Sequence, residues 1–178
     1  SIGLPIVEAL RKADTPPMDI HLQIENPDEF AERFIDAGGD AVAGITVQYE
    51  TCGLLYSTIS RIKSRGVNAG IAICPTTPLY VLEEVLEYAD MILIMTVEPG
   101  FPGQKFIQSM VPKVMRLREL IDRSQHKPLI EVDGGIKLDN IRGIAEAGAD
   151  VIVSGSGIFQ SSSYSETIEL MRKEIKGL

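Results

Sequence analysis

The sequence predicts an α/β fold in which parallel strands alternate with helices, on three observations. First, six short apolar runs rich in β-branched residues read as strands buried on both faces: Met18 to Ile24, Ala41 to Val47, Ala69 to Cys74, Met91 to Val97, Leu129 to Val132 and Val151 to Ser154. Second, segments with apolar residues at helical spacing lie between them. Third, the chain repeats a handover from helix to strand at Asp36-Ala37-Gly38-Gly39-Asp40, Glu87-Tyr88-Ala89-Asp90 and Glu146-Ala147-Gly148-Ala149-Asp150, with glycine as C-terminal cap in two of the three. No low-complexity linker interrupts the 178 residues, so 1–178 reads as one domain of about six strand–helix units.

The helices follow from local signals. Pro27 to Ile35 carries apolar residues at helical spacing, with Asn26 in the capping position and Pro27 at the first helical position. Thr77-Pro78 repeats the device, with Thr77 as cap and Leu79, Val81, Leu82, Val85 and Leu86 on the helix. Further helices are expected from Val111 to Ile121, Asp139 to Ala147 and Ser165 to Ile175.

Composition narrows the class. Hydrophobic residues make up 44% and charged residues 24%, an ordinary globular balance. No apolar run approaches the roughly 18 residues of a membrane span. A net charge of −8 argues against nucleic acid or an anionic membrane as partner. An anionic ligand would therefore depend on local dipoles or a cation. Cys52 and Cys74 have no metal-like or redox-like spacing and are expected as free thiols in a reducing compartment, hence the cytoplasm. His126, between Gln125 and Lys127, is expected as a solvated loop residue.

Two late loops carry the chemistry. Glu131-Val132-Asp133-Gly134-Gly135-Ile136 and Val151-Ile152-Val153-Ser154-Gly155-Ser156-Gly157 each end a strand in residues without bulk, so backbone N–H groups can approach an anion. Together they suggest a phosphate cradle with the Asp133 carboxylate beside it. An open doubly wound sheet carries its phosphate loop after the first strand, as Gly-x-Gly-x-x-Gly, and no such fingerprint occurs. A (β/α)8 TIM barrel carries it after the last two strands. The order favours the barrel, of which this chain would cover about the last six strands, since a complete one runs to about 250 residues.

These residues resemble the ribulose-phosphate 3-epimerase family. The resemblance rests on Asp19-Ile20-His21-Leu22, Glu25-Asn26-Pro27, Met95-Thr96-Val97-Glu98-Pro99-Gly100-Phe101, Gly103-Gln104-Lys105-Phe106, Glu131 to Ile136 and Ala149 to Ser156, in the family's order and near its spacing. It implies a (β/α)8 barrel whose second helix begins at Ser1, and epimerisation at C3 of a ketose phosphate through an enediolate. The family uses two carboxylates on opposite faces of the carbon and one divalent metal, with zinc, iron, manganese and magnesium all open. By resemblance Asp133 is one of the carboxylates and a metal ligand, and His21 is another ligand. Met95, Gly100, Gly103, Gln104, Gly134, Gly135, Gly155 and Ser156 would bind substrate, the last two near the start of a short helix through Ile158-Phe159. Gly100 to Gln104 resembles the family's flexible loop, stiffened here by Pro102.

The departures are specific. Gln48-Tyr49-Glu50 stands where the family usually reads His-x-Glu, about three residues later than its usual distance from Asp40, and Gln23 stands where a methionine is common. The family's other carboxylate, a further histidine ligand and a serine belong to strands upstream of Ser1. The chain alone is accordingly expected to be inactive, with open sheet edges at Met18 to Ile24 and Val151 to Ser154. D-ribulose 5-phosphate is the expected substrate, with allulose 6-phosphate or a non-catalytic sugar-phosphate module as alternatives. The family further implies a homo-oligomer.

Overall fold

Six parallel strands alternate with helices in the computed structural model, which describes residues 2–13, 15–101 and 103–177. Pro102 lies outside them, so its expected effect on the loop does too. The chain divides into two compact units, Ser1–Ala72 with Tyr88–Met91, and Ile73–Glu87 with Ile92–Leu178.

The first unit contains α1 (Leu4–Lys12), β1 (Met18–Leu22), α2 (Pro27–Gly38), β2 (Val42–Gln48), α3 (Leu55–Ser64) and most of β3 (Asn68–Ile73). β2 lies between β1 and β3, parallel to both, with His21 opposite Thr46 and Thr46 opposite Gly70. Because residues paired in register share a face, Asp19, His21, Thr46 and Gln48 project from one side of this sheet. Leu22, Ile45, Val47, Ala69 and Ile71 alternate with them and are buried. Phe34, Ile35, Ile59 and Ile62 on α2 and α3 are buried too. A polar face and an apolar face are thus written into alternate residues of the same strands.

The second unit contains most of β4 (Met91–Met95), then α4 (Met110–Arg123), β5 (Leu129–Asp133), α5 (Ile141–Glu146), β6 (Val151–Val153), α6 (Ser156–Phe159) and α7 (Tyr164–Glu174). β5 neighbours β4 and β6, and Asp133 pairs with Val153. Ile92, Ile94, Ile130, Val132, Val114, Leu117, Ile121 and Ile144 form its buried centre.

The repeated handover has a structural cause. In the first unit the Lys63 ammonium donates to Tyr88 O and to Asp90 Oδ1, while Asp90 Oδ2 accepts from Ala69 N–H at 2.9 Å. In the second the Arg118 guanidinium donates to Gly148 O and the Asp150 carboxylate, which accepts from Ile130 N–H at 2.8 Å. Asp90 N–H and Asp150 N–H return a bond to Ala69 O and Ile130 O, each 2.8 Å. Each aspartate therefore fastens the foot of one strand to the foot of the strand before it, under a cation from the preceding helix.

Three local expectations need correction. The helix expected after Thr77-Pro78 is only a 3-10 turn over Leu79–Leu82, and Thr77 is not its cap. Thr77 O accepts instead from the Lys113 ammonium at 2.6 Å, which also holds Cys74 O and Pro75 O at 2.9 Å and is 4% exposed. Burying Leu82 and Leu86 settles the rest of the segment without a regular helix. Asn26 occupies the N-cap position of α2 but makes no side-chain capping bond, because its backbone is left-handed at φ 52°. α3 was not signalled at all: Ser57, Thr58, Ile59 and Ile62 are hydroxyl-bearing or β-branched and dilute helical propensity, and burial of Thr58, Ile59 and Ile62 decides the matter.

Candidate active site

The second unit contains the two glycine loops, and they are joined to each other. Ser154 Oγ donates to Ile136 O at 2.7 Å, so the loop after β6 is pinned to the loop after β5. Asn140 Nδ2 donates to Gly135 O at 3.0 Å and Asn140 Oδ1 accepts from Lys137 N–H at 2.8 Å, which fixes the exit of the first loop. Gly134 and Gly135 have φ of +125° and +67°, a region where side chains are strained. A Cβ at Gly134 would stand 2.5 Å from Val97 Cγ2, and one at Gly135 would stand 2.5 Å from Phe106 N. The absence of bulk at these two positions therefore has a steric basis. Around Gly155 there is open space, with no atom within 4 Å of where a Cβ would stand, and Ser156 opens α6 as expected.

Asp133 ends β5 half-buried, and its carbonyl accepts from Thr96 N–H at 2.8 Å. Thr96 Oγ1 donates to Gly134 O at 2.5 Å. The end of β4 thus fixes the backbone on which the Asp133 side chain rides. Met95 is 4% exposed at the end of β4. Gly100 and Gly103 lie in the following loop with φ of +135° and +77°. Gln104 Nε2 donates to Glu98 O and to Phe101 O, so this amide group ties the loop to itself. Lys137, which carried no expectation, lines a hollow of about 390 Å³ with Ser156, Gly157, Gln160 and Ser161. Its place immediately after the Gly-Gly-Ile turn was the available signal.

His21 belongs to the first unit. Its Nε2 lies 2.9 Å from Gln48 Oε1, and Gln48 Nε2 donates to Glu50 Oε2 at 2.6 Å. Gln48 is 3% exposed, so the central member of this chain is shielded from water. Thr46, beside His21 in register, is 1% exposed and its hydroxyl has no hydrogen-bond partner among the described residues. Gln23 is exposed. No group of three or more His, Cys, Asp or Glu that could hold a metal ion occurs among the described residues, and His21 and Asp133 belong to different units. The chemistry of His21 nevertheless suits a divalent ion: a ligating imidazole characteristically donates its other N–H to an oxygen acceptor, which Gln48 supplies.

Elsewhere, His126 is exposed as expected, and neither Cys52 nor Cys74 is disulfide-bonded. Burial pushes the Cys52 thiol above its ordinary range, and a hydrogen bond with Thr58 only partly opposes this. No helix among the described residues is long and apolar enough to cross a membrane.

Comparison with known proteins decides the lineage. The profile described as the ribulose-phosphate 3 epimerase family matches residues 1–159. The chain belongs to the ribulose-phosphate 3-epimerase family. It is 42% identical to the ribulose-phosphate 3-epimerase of Aquifex aeolicus over 99% of this chain and 76% of the relative. It is also 42% identical to that of Bacillus subtilis, over 97% of this chain and 78% of the relative. Among solved structures, the 3-hexulose-6-phosphate synthase of Salmonella typhimurium superposes with a TM-score of 0.72 at 22% identity, covering 97% of this chain and 80% of that one. At that identity the likeness concerns the fold alone, a TIM-barrel-like α/β architecture to which the described residues contribute six strands.

Proposed function

We propose that the protein interconverts D-ribulose 5-phosphate and D-xylulose 5-phosphate by moving the proton at C3. The observation that carries this reading is a carboxylate, Asp133, at a strand tip directly before two glycines whose geometry admits no side chain. It sits in a chain 42% identical to proteins named for that reaction. The Gly134-Gly135 turn and the Gly155-Ser156 opening of α6 hold the phosphate through backbone N–H groups and the Ser156 hydroxyl. Tethering the phosphate fixes the distance from it to C3, and Asp133 serves as acid or base on one face of that carbon.

By resemblance to the family, His21 is proposed as a nitrogen donor and Asp133 as a carboxylate donor toward a divalent ion. When bound, such an ion supplies Lewis-acid polarisation of the C2 carbonyl. Met95, Gly100, Gly103 and Gln104 are proposed to line and cover the sugar. The absence of disulfides at Cys52 and Cys74 suits the reducing cytoplasm. A homo-oligomer is the proposed assembly state, to be read by light scattering coupled to size exclusion.

The test is exchange of the C3 proton with solvent in the protein as its gene encodes it, with ribulose 5-phosphate and allulose 6-phosphate as competing substrates. Asp133→Asn is expected to lower exchange on the order of 1000-fold, since an acid/base group and a ligand charge are lost together. Exchange unaffected by this change would refute the assignment. Phosphate-dependent stabilisation without any exchange would favour a sugar-phosphate-binding module, and faster exchange on the hexulose would reassign the substrate.

A further inference from the structure

The side chains of His21, Gln48 and Glu50 form a relay whose direction can be deduced. A carboxylate only accepts hydrogen bonds, so the Gln48 amide must turn its NH2 toward Glu50, 2.6 Å away. That leaves Gln48 Oε1 facing His21 Nε2 at 2.9 Å, and an amide oxygen also only accepts. The proton in this bond therefore belongs to His21 Nε2. In the neutral ring the lone pair is then on Nδ1.

The placement is built into the strands. His21 is opposite Thr46 in the parallel pairing of β1 with β2, so Gln48, two residues on, shares its face and lies one step nearer the strand tips. At 3% exposure Gln48 has little water with which to exchange partners. Glu50 is exposed to solvent while still orienting the amide. A buried group that accepts on one side and donates on the other is what the position requires, and glutamine satisfies it.

We propose that Gln48, oriented by Glu50, is a positioning residue that fixes His21 as its Nε2–H tautomer and presents Nδ1 as the coordinating nitrogen. The second half of this statement rests on the proposed metal role of His21; the first does not. Histidine at position 48 would also work, accepting from His21 through one ring nitrogen and donating to Glu50 through the other. A hydrocarbon of similar size could not.

The chain contains only two histidines, His21 and His126, so ring nitrogens can be followed without ambiguity. Long-range proton–nitrogen spectra of ring-labelled, metal-free protein at pH 8, assigned with a His126→Gln variant, read the tautomer directly. The expected result is a single Nε2–H form for His21. Gln48→Leu should collapse the separation between the two ring-nitrogen shifts toward a tautomer mixture, and Gln48→His should restore it. Glu50→Gln, at an exposed site where folding is not at risk, should also yield a mixture, because its amide no longer dictates which way Gln48 turns. An Nδ1–H form in the unaltered protein, or a tautomer indifferent to both Gln48→Leu and Glu50→Gln, would overturn the relay.

Adding zinc then tests the second half. A shift at Nδ1 with the Nε2 proton retained supports it, and displacement of that proton refutes it. If zinc leaves both nitrogens unmoved while the tautomer is fixed as described, the relay stands and the metal role proposed for His21 fails.

Discussion

The strand tips of the two units are built from different materials. At β1 and β2 the geometry is set by side chains, with His21, Gln48 and Glu50 holding one another at 2.9 and 2.6 Å. At β5 and β6 it is set by backbone, where Gly134 and Gly135 take positive φ and leave no room for a Cβ. A side-chain relay can exchange a member for another with the same donor and acceptor pattern, such as histidine for glutamine at position 48. A backbone cradle permits no comparable substitution. Within one family fold, then, variation should collect at the first pair of tips rather than the second.

The largest effect is expected at Gly135. Gly135→Ala combines a strained φ of +67° with a methyl 2.5 Å from Phe106 N, and should cost about 2 to 4 kcal/mol in denaturant unfolding. A loss below about 0.5 kcal/mol, the usual range of an innocuous surface change, would break the comparison. Lys113→Met asks whether side chains also matter structurally in the second unit. Removing the ammonium that serves Cys74 O, Pro75 O and Thr77 O should cost about 2 kcal/mol, measured the same way.

A smaller effect is expected from pH. Burial raises the Cys52 thiol above its unfolded value, so the folded state favours the protonated thiol. Its contribution is fully present below the unfolded thiol value and declines as pH rises toward the folded one. Between pH 8 and 10, Cys52→Ala should accordingly flatten the fall of stability with pH. The smallest effect should be that of Gly155→Ala on stability, within about 0.5 kcal/mol, since its φ is −85° and no atom lies within 4 Å of the new methyl. The same variant should raise the phosphate concentration needed to lift Tm, which separates the proposed phosphate-binding role of this loop from its role in folding.

The strands were legible because an apolar run buried on both faces has few other readings. All six expected runs contain an observed strand, with ends displaced by a few residues at most. The glycine loops were legible for a related reason: residues without bulk at a strand end signal a backbone constraint, whatever its partner. What failed depended on distant residues. Lys113 is 36 residues from Thr77, and no local pattern announces that its ammonium will take the carbonyl at the start of an expected helix. α3 lacks a strong helical composition and owes its form to burial. The relay was hidden in a different way. Gln48 was visible as a departure from a family pattern, but its pairing with His21 needs the β1–β2 register, which places residues 27 apart side by side.

The two aspartate clasps at the strand feet bear on how the chain folds. The cation and carboxylate are 27 residues apart in the first clasp and 32 in the second. Loop-closure entropy grows only with the logarithm of length, so the two closures differ by only about 0.2 kcal/mol. Each clasp also lies wholly inside its own unit. Chain length therefore favours neither clasp over the other as a place for folding to begin.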